Sequence, residues 1–155
     1  MSFRITGLPP EPFRHLYGLP DAELATLGAR RVIADSQPGY PDRIEMRDVR
    51  PGEALILVNY THQPAATPFR SSHAIFVREG AERTYDAVDV LPEPLRLRPI
   101  ALRAFDHDHF MIDAGLAECQ GVEILIGRLL ANPKAVYLQA HYASRGCYAA
   151  RIVRA

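Results

Sequence analysis

The sequence predicts an α+β fold: a mostly antiparallel sheet with one main helix at about 120–131 and one short N-terminal helix. Three observations lead there. Short apolar runs bounded by Gly, Pro, Asn and Asp outnumber helical stretches. No regular alternation of strand and helix appears, which argues against a parallel sheet wound by crossover helices. Only one stretch, Val122, Leu125, Ile126, Leu129 and Leu130, repeats apolar residues at i, i+3, i+4, i+7 and i+8 along one helical face.

Taken in order, Phe3–Ile5 reads as a short strand ended by Gly7-Leu8-Pro9-Pro10, since two prolines exclude helix and central strand. Glu11 to Tyr17 suits one helical turn. Asp21 reads as the N-cap of a short helix through Ala22, Leu24, Ala25 and Leu27, closed by Gly28. Arg31–Ala34 is a short strand. The turn Arg50-Pro51-Gly52-Glu53 launches Ala54–Tyr60, whose unbroken apolar run implies burial on both faces. His62 to Pro68 reads as loop, Ala74–Val77 as strand, and Arg83-Thr84-Tyr85 as the start of another. Pro92, Pro94 and Pro99 mark an extended edge or linker segment. Ile100–Phe105 and Phe110–Ile112 form a hairpin around the tip Asp106-His107-Asp108-His109. The main helix follows and stops at Asn132-Pro133. A last hairpin joins Ala135–Ala143 to Cys147–Val153 through Ser144-Arg145-Gly146.

At 155 residues, the length predicts a single domain over 1–155, large enough for a core without covalent staples. Nearly half the residues are apolar (48%) and 23% are charged, which excludes a disordered or fibrous chain. No apolar run is long enough to span a membrane, and MSFRITGLPP does not read as a signal peptide. Two cysteines make no disulfide framework, so a cytoplasmic location is expected. Eighteen basic residues against 18 acidic argue against a nucleic-acid binder. Lys134 is the only lysine, a chain-wide arginine bias that reads as compositional.

The neutral total hides segments of opposite sign. Residues 79–123 carry ten acidic and four basic side chains, a net of −6. After Glu123 there is no carboxylate side chain, while Arg128, Lys134, Arg145, Arg151 and Arg154 contribute +5. Either these segments neutralise each other or the basic one faces an anion.

The C-terminal hairpin is therefore the first place to look for chemistry. If Ala143 sits opposite Cys147, alternation puts His141 and Cys147 on one face as diagonal neighbours, unless a bulge intervenes. A thiol beside an imidazole and Arg145 would suit nucleophilic catalysis. A buried small residue and a hydrogen-bonded histidine are the simpler account of the same pair. Tyr137, His141, Tyr142, Tyr148, Arg145 and Arg151 also offer stacking faces and cationic forks suited to carboxylate or phosphate. His107 and His109 would share a strand face, but two imidazoles are half a metal site, and their Asp-rich setting equally suits a hairpin tip; no metal is expected. Phosphate loops, dinucleotide fingerprints and nucleophile elbows are missing, and no cofactor is expected.

Pro51-Gly52-Glu53 before an apolar strand ending Asn59-Tyr60, Leu102-Arg103-Ala104-Phe105, Ala131-Asn132-Pro133 and His141…Arg145-Gly146-Cys147-Tyr148…Arg154 together resemble the bacterial family known as domain of unknown function 1203. The resemblance covers most of the chain and implies a short single-domain protein with no established activity. Many relatives carry Pro-Cys-Arg-His-Cys-Leu ahead of the Pro-Gly-Glu turn. Here the stretch is Pro41-Asp42-Arg43-Ile44-Glu45-Met46, which keeps Pro and Arg but lacks both cysteines. Redox or metal chemistry through that pair is therefore not open to this chain.

The leading expectation is a small anionic ligand bound near the C-terminal hairpin by Arg43, Arg103, Arg145 and His141, with Tyr142 and Tyr60 as walls. An enzyme using Cys147 and His141 in acyl or thiol chemistry is the second expectation. The third is a protein-interaction module using the basic hairpin or a sheet edge. No nucleic-acid or membrane partner is expected, and the sequence is compatible with a homo-oligomer.

Overall fold

Nine strands form in the computed structural model, which describes residues 1–155, and every pairing among them is antiparallel. The first element is β1 (Phe3–Thr6), followed by α1 (Asp21–Thr26), β2 (Arg30–Ile33), β3 (Ala54–Gln63), β4 (Ser71–Arg78) and β5 (Asp86–Val88). Then come α2 (Glu93–Arg96), β6 (Ile100–Phe105), β7 (Met111–Ala117), α3 (Gly121–Leu130), β8 (Tyr137–Tyr142) and β9 (Tyr148–Arg154). Six strands make a main sheet in the order β5-β1-β9-β8-β6-β7, and β2-β3-β4 make a smaller one. The first and last strands pair, Ile5 opposite Ile152, so the chain ends close the middle of the main sheet.

Alternation along the strands gives the main sheet two different faces. On one, Ile100, Leu102, Leu138, Ala140 and Ile152 pack against Val122, Ile126, Leu129 and Leu130 of α3. Burying each of these larger side chains is worth about 1.5–3 kcal/mol, which is why α3 is held although an isolated ten-residue helix is marginal. The opposite face meets the small sheet. There Ile56, Ile75 and Val77 pack with Phe13, Leu16, Leu24 and Tyr148 of β9. No helix is long and apolar enough to cross a membrane.

Several local expectations change. Burial of β3 on both faces holds only at Leu55 and Ile56, because beyond Val58 its outer side is solvent and Asn59 and Thr61 are exposed. His62 and Gln63 are strand, not loop: a bulge after Tyr60 carries β3 on to pair Gln63 with Ser71. The proline segment is not extended throughout. Glu93–Arg96 is a helical turn with Pro94 in its first turn, where the missing N–H costs nothing. Pro20, not Asp21, occupies the N-cap of α1, and Asp21 instead pairs with Arg31 at 2.5 Å.

Candidate functional site

The loop Gly39–Asp48 carries a buried arginine to the tip of the β8–β9 hairpin. Three backbone bonds fix it: Leu8 N donates to Arg43 O at 2.7 Å, Arg43 N to Phe76 O at 3.2 Å, and Tyr85 N to Ile44 O at 2.8 Å. Gly7 permits the approach, since a Cβ there would overlap the Ile44 carbonyl oxygen. The Asp42 carboxylate accepts from Arg78 N at 2.7 Å and Glu45 N at 2.6 Å, so it ties the loop together and bonds away from Arg43.

Arg43 is only 1% exposed and has no carboxylate partner. Its Nε donates to Tyr148 O at 2.8 Å, its Nη1 to Pro41 O at 2.7 Å, and its Nη2 to Cys147 Sγ at 3.0 Å. The guanidinium also lies over the Tyr142 ring, 4.8 Å from the centroid, and Arg98 packs on the same ring at 5.2 Å. Arg98 donates to Asp48 Oδ2 at 2.9 Å, and Gly39 N donates to Asp48 Oδ1 at 3.3 Å. Arg145 stands on the hairpin turn, exposed and without an ion-pair partner. Together Arg43, Arg98, Arg145, Tyr142 and Cys147 line a pocket of about 120 Å³. Tyr142 is 4% exposed, and its hydroxyl is the one buried side-chain polar atom with no hydrogen-bond partner in the protein. Burial pushes that phenol up to about 12, although Arg43 and Arg98 pull it down.

Three of the expected ligand residues, Arg43, Arg145 and Tyr142, thus meet in one pocket, while Arg103, His141 and Tyr60 lie elsewhere. The reason is register. A bulge at Ala140/His141 sets His141 opposite Tyr148, and Tyr142 N bonds Cys147 O. Cys147 therefore shares a side with Tyr142, and His141 projects from the other face toward the small sheet. The expected Cys147–His141 pair does not form, and the neighbour of the sulfur is Arg43.

On that other face, His141 is fully buried beside His62, with ring centroids 4.9 Å apart, and Tyr148 lies between His62 and Tyr60. Gln139 organises this layer. Its Nε2 donates to His62 O at 2.8 Å, so its Oε1 faces His62 Nδ1 at 2.9 Å and His141 Nε2 at 3.2 Å. His141 Nδ1 faces a second acceptor, Gly146 O, at 3.1 Å. Burial, reinforced by Arg103, lowers His141 to about 3, so its ring is neutral at pH 7 and supplies one N–H for these two oxygens. Arg103, directly opposite Gln139, is half-buried and has no carboxylate partner. These side chains form a structural polar layer between the sheets, separate from the arginine pocket.

His107 is exposed at the β6–β7 tip, and His109 Nδ1 lies 2.8 Å from the Tyr137 hydroxyl. The tip itself is closed by Asp106 Oδ1, which accepts from Asp108 N at 2.9 Å and Phe110 N at 3.0 Å. No group of three or more His, Cys, Asp or Glu side chains is arranged to hold a metal ion. Both cysteines are free, Cys119 exposed and Cys147 buried.

The segment charges have a specific outcome too. Of the basic residues after Glu123, only Arg128 pairs with the acidic middle, at Asp113. Arg154 instead donates to the carbonyls of Leu130, Asn132 and Ala135 at the end of α3. Nothing in the sequence singles out Arg98 or Asp48. Arg98 sits among prolines in a stretch without periodicity, and nothing local distinguishes Asp48 from a solvated acid.

No curated protein and no solved structure matches the chain. A family model does, over residues 39–154, which takes in the Arg43 loop, Arg98 and the whole C-terminal hairpin. The chain belongs to the protein family of unknown function DUF1203.

Proposed function

We propose that this protein binds a small dianionic oxyanion, a phosphate group in particular, in the pocket at the tip of the β8–β9 hairpin. One observation carries the reading: Arg43 and Arg98 pack on the Tyr142 ring and Arg145 lines the same pocket, with Asp48 the only carboxylate bonded among them. Arginine stays protonated at any ordinary pH, and a buried guanidinium without a counter-charge is costly. Two positive charges remain unmatched, which favours a phosphate over a monocarboxylate. Guanidinium forks also bind phosphate oxygens bidentately. A pocket of about 120 Å³ suits the charged head of a metabolite, with the remainder outside, past Ser144 and Arg145.

The test is calorimetric titration at low ionic strength with inorganic phosphate, sulfate and acetate. Phosphate and sulfate bind and acetate is much weaker. Arg145→Ala, an exposed position whose loss leaves the fold intact, weakens phosphate by about tenfold, a step of about 1.4 kcal/mol. Equal binding of all three anions, or an Arg145→Ala titration identical to wild type, refutes the reading.

A protein-interaction role is the second reading, favoured by one feature. Strand β7 is a free edge of the main sheet, with Leu116 75% exposed and Ile112 beside it on the same face. Sedimentation of wild type against Leu116→Glu tests it: a concentration-dependent larger species that the variant abolishes supports self-association, and a monomer in both removes it.

A further inference from the structure

Resting on the phosphate reading above, we infer that Cys147 is a nucleophile of the arginine pocket, accepting a phosphoryl group from an acyl or aryl phosphate. The sulfur lies on the pocket wall and takes a guanidinium hydrogen bond from Arg43 Nη2 at 3.0 Å. The nucleophilic form of cysteine is the thiolate, and an arginine donor is a neighbour that stabilises it. A second feature of the same wall points to a ligand: the buried Tyr142 hydroxyl has no partner in the protein. A phosphate held by Arg43, Arg98 and Arg145 would share the pocket with the Cys147 sulfur, a stronger nucleophile than the Ser144 hydroxyl that also lines it. Guanidiniums arranged around it would stabilise the charge spread over the equatorial oxygens during transfer.

The class of donor follows from what the pocket lacks. Expelling an alkoxide requires a general acid. Asp48 is occupied as an acceptor from Arg98 and Gly39 N, and the Tyr142 phenol, held high by burial, is a weak acid. His141, the nearest imidazole in sequence, is on the far face of the sheet. The leaving oxygen must therefore depart without a proton, as a carboxylate or a stabilised phenolate does. In the step, the Cys147 sulfur electron pair forms an S–P bond while the P–O bond breaks and its pair leaves on the carboxylate or phenolate. Water then attacks phosphorus, releases inorganic phosphate and restores the sulfur. The sum is donor plus water giving carboxylate or phenolate, hydrogen phosphate and a proton, with no oxidant or reductant.

The experiment uses the full chain with p-nitrophenyl phosphate and acetyl phosphate as probes and β-glycerol phosphate as the alkyl control. Expected are release of p-nitrophenolate, a mass increase of one phosphoryl group on the Cys147 peptide, and turnover of the alkyl ester at least tenfold slower. Cys147→Ser abolishes the mass increase, whereas Cys119→Ser retains it. Phosphate titration of Cys147→Ser runs in parallel. Phosphate binding without nitrophenolate or phosphoryl mass above Cys147→Ser overturns the nucleophile and leaves the anion reading standing. Failure of phosphate to bind wild type overturns both. Turnover of the alkyl ester as fast as the aryl one overturns the leaving-group argument. Should Cys147→Ser fold poorly, alkylation of wild type serves instead. Labelling of Cys147 by iodoacetate faster than by iodoacetamide, and slowed by phosphate, supports the inference; the reverse order without protection refutes it.

Discussion

Replacing Tyr142 by phenylalanine separates the cost of the pocket from its use. The Tyr142 hydroxyl is buried with no hydrogen-bond partner in the protein, and an unsatisfied buried polar group costs about 1–3 kcal/mol. Phenylalanine keeps the ring on which Arg43 and Arg98 pack at 4.8 and 5.2 Å, forfeiting about 0.5 kcal/mol of cation–π attraction at most. The net expectation is a gain of about 1–2 kcal/mol in the absence of phosphate. For a chain of this size each kcal/mol moves Tm by about 2–4 °C, so Tyr142→Phe melts about 2–8 °C higher. Binding moves the other way. A hydroxyl donating to a charged phosphate oxygen is worth about 1.5–3 kcal/mol, so the variant binds phosphate roughly 10- to 100-fold more weakly. Calorimetric melting with and without phosphate reads both effects, because a ligand that binds only the folded state raises Tm in proportion to RT ln(1 + [L]/Kd). A variant that melts lower than wild type and binds phosphate equally well refutes the account of the hydroxyl and of its role.

Two further perturbations test how the site is held. His141 is lowered by burial from 6.5 to about 3, and His62 is lowered by burial as well. The unfolded chain therefore binds protons that the folded one refuses. Stability from His141 is complete above about 6.5 and is lost as pH falls toward 3, at a limiting slope on the order of 1 kcal/mol per pH unit. Denaturation midpoints between pH 7 and 4 should fall steeply in wild type and less so in His141→Asn; parallel profiles would contradict the assignment. Gly7→Ala sets a Cβ 2.9 Å from Arg43 O and in overlap with Ile44 O, costing about 2–4 kcal/mol by urea denaturation and weakening phosphate binding as the Arg43 loop shifts. Wild-type stability and affinity in Gly7→Ala would show that the loop is not clamped against β1.

No ion pair joins Arg43 or Arg145 to the acidic middle of the chain. Four carboxylates of that segment pair with arginines elsewhere: Asp86 with Arg4, Glu82 with Arg14, Glu79 with Arg31 and Asp113 with Arg128. Surface pairs of this kind add little stability individually.

Much of the architecture is legible in the residues. The period of 3.6 over Val122–Leu130 marks the face that α3 buries, and the Gly- and Pro-bounded apolar runs mark β3, β4, β6, β8 and β9. These are local signals, written by neighbours in the chain, as is the absence of carboxylates after Glu123 that draws attention to the hairpin. The partition of the site is not local. One bulge at Ala140/His141 moves His141 away from Cys147, and the period of two in a strand turns that single residue into a change of face. Arg98 reaches Tyr142 from the turn after α2 in a proline-rich stretch, and Arg43 arrives through backbone bonds to Leu8 and to Phe76 of β4. The amino-acid sequence by itself determined the antiparallel architecture, the helical stripe and the excess of basic residues after Glu123. Only the tertiary structure decided which arginines share a pocket and which carboxylates are spent elsewhere. Register and charge pairing are set by contacts between segments more than a hundred residues apart, such as Arg43 with Tyr148 and Cys147, and no local period records them.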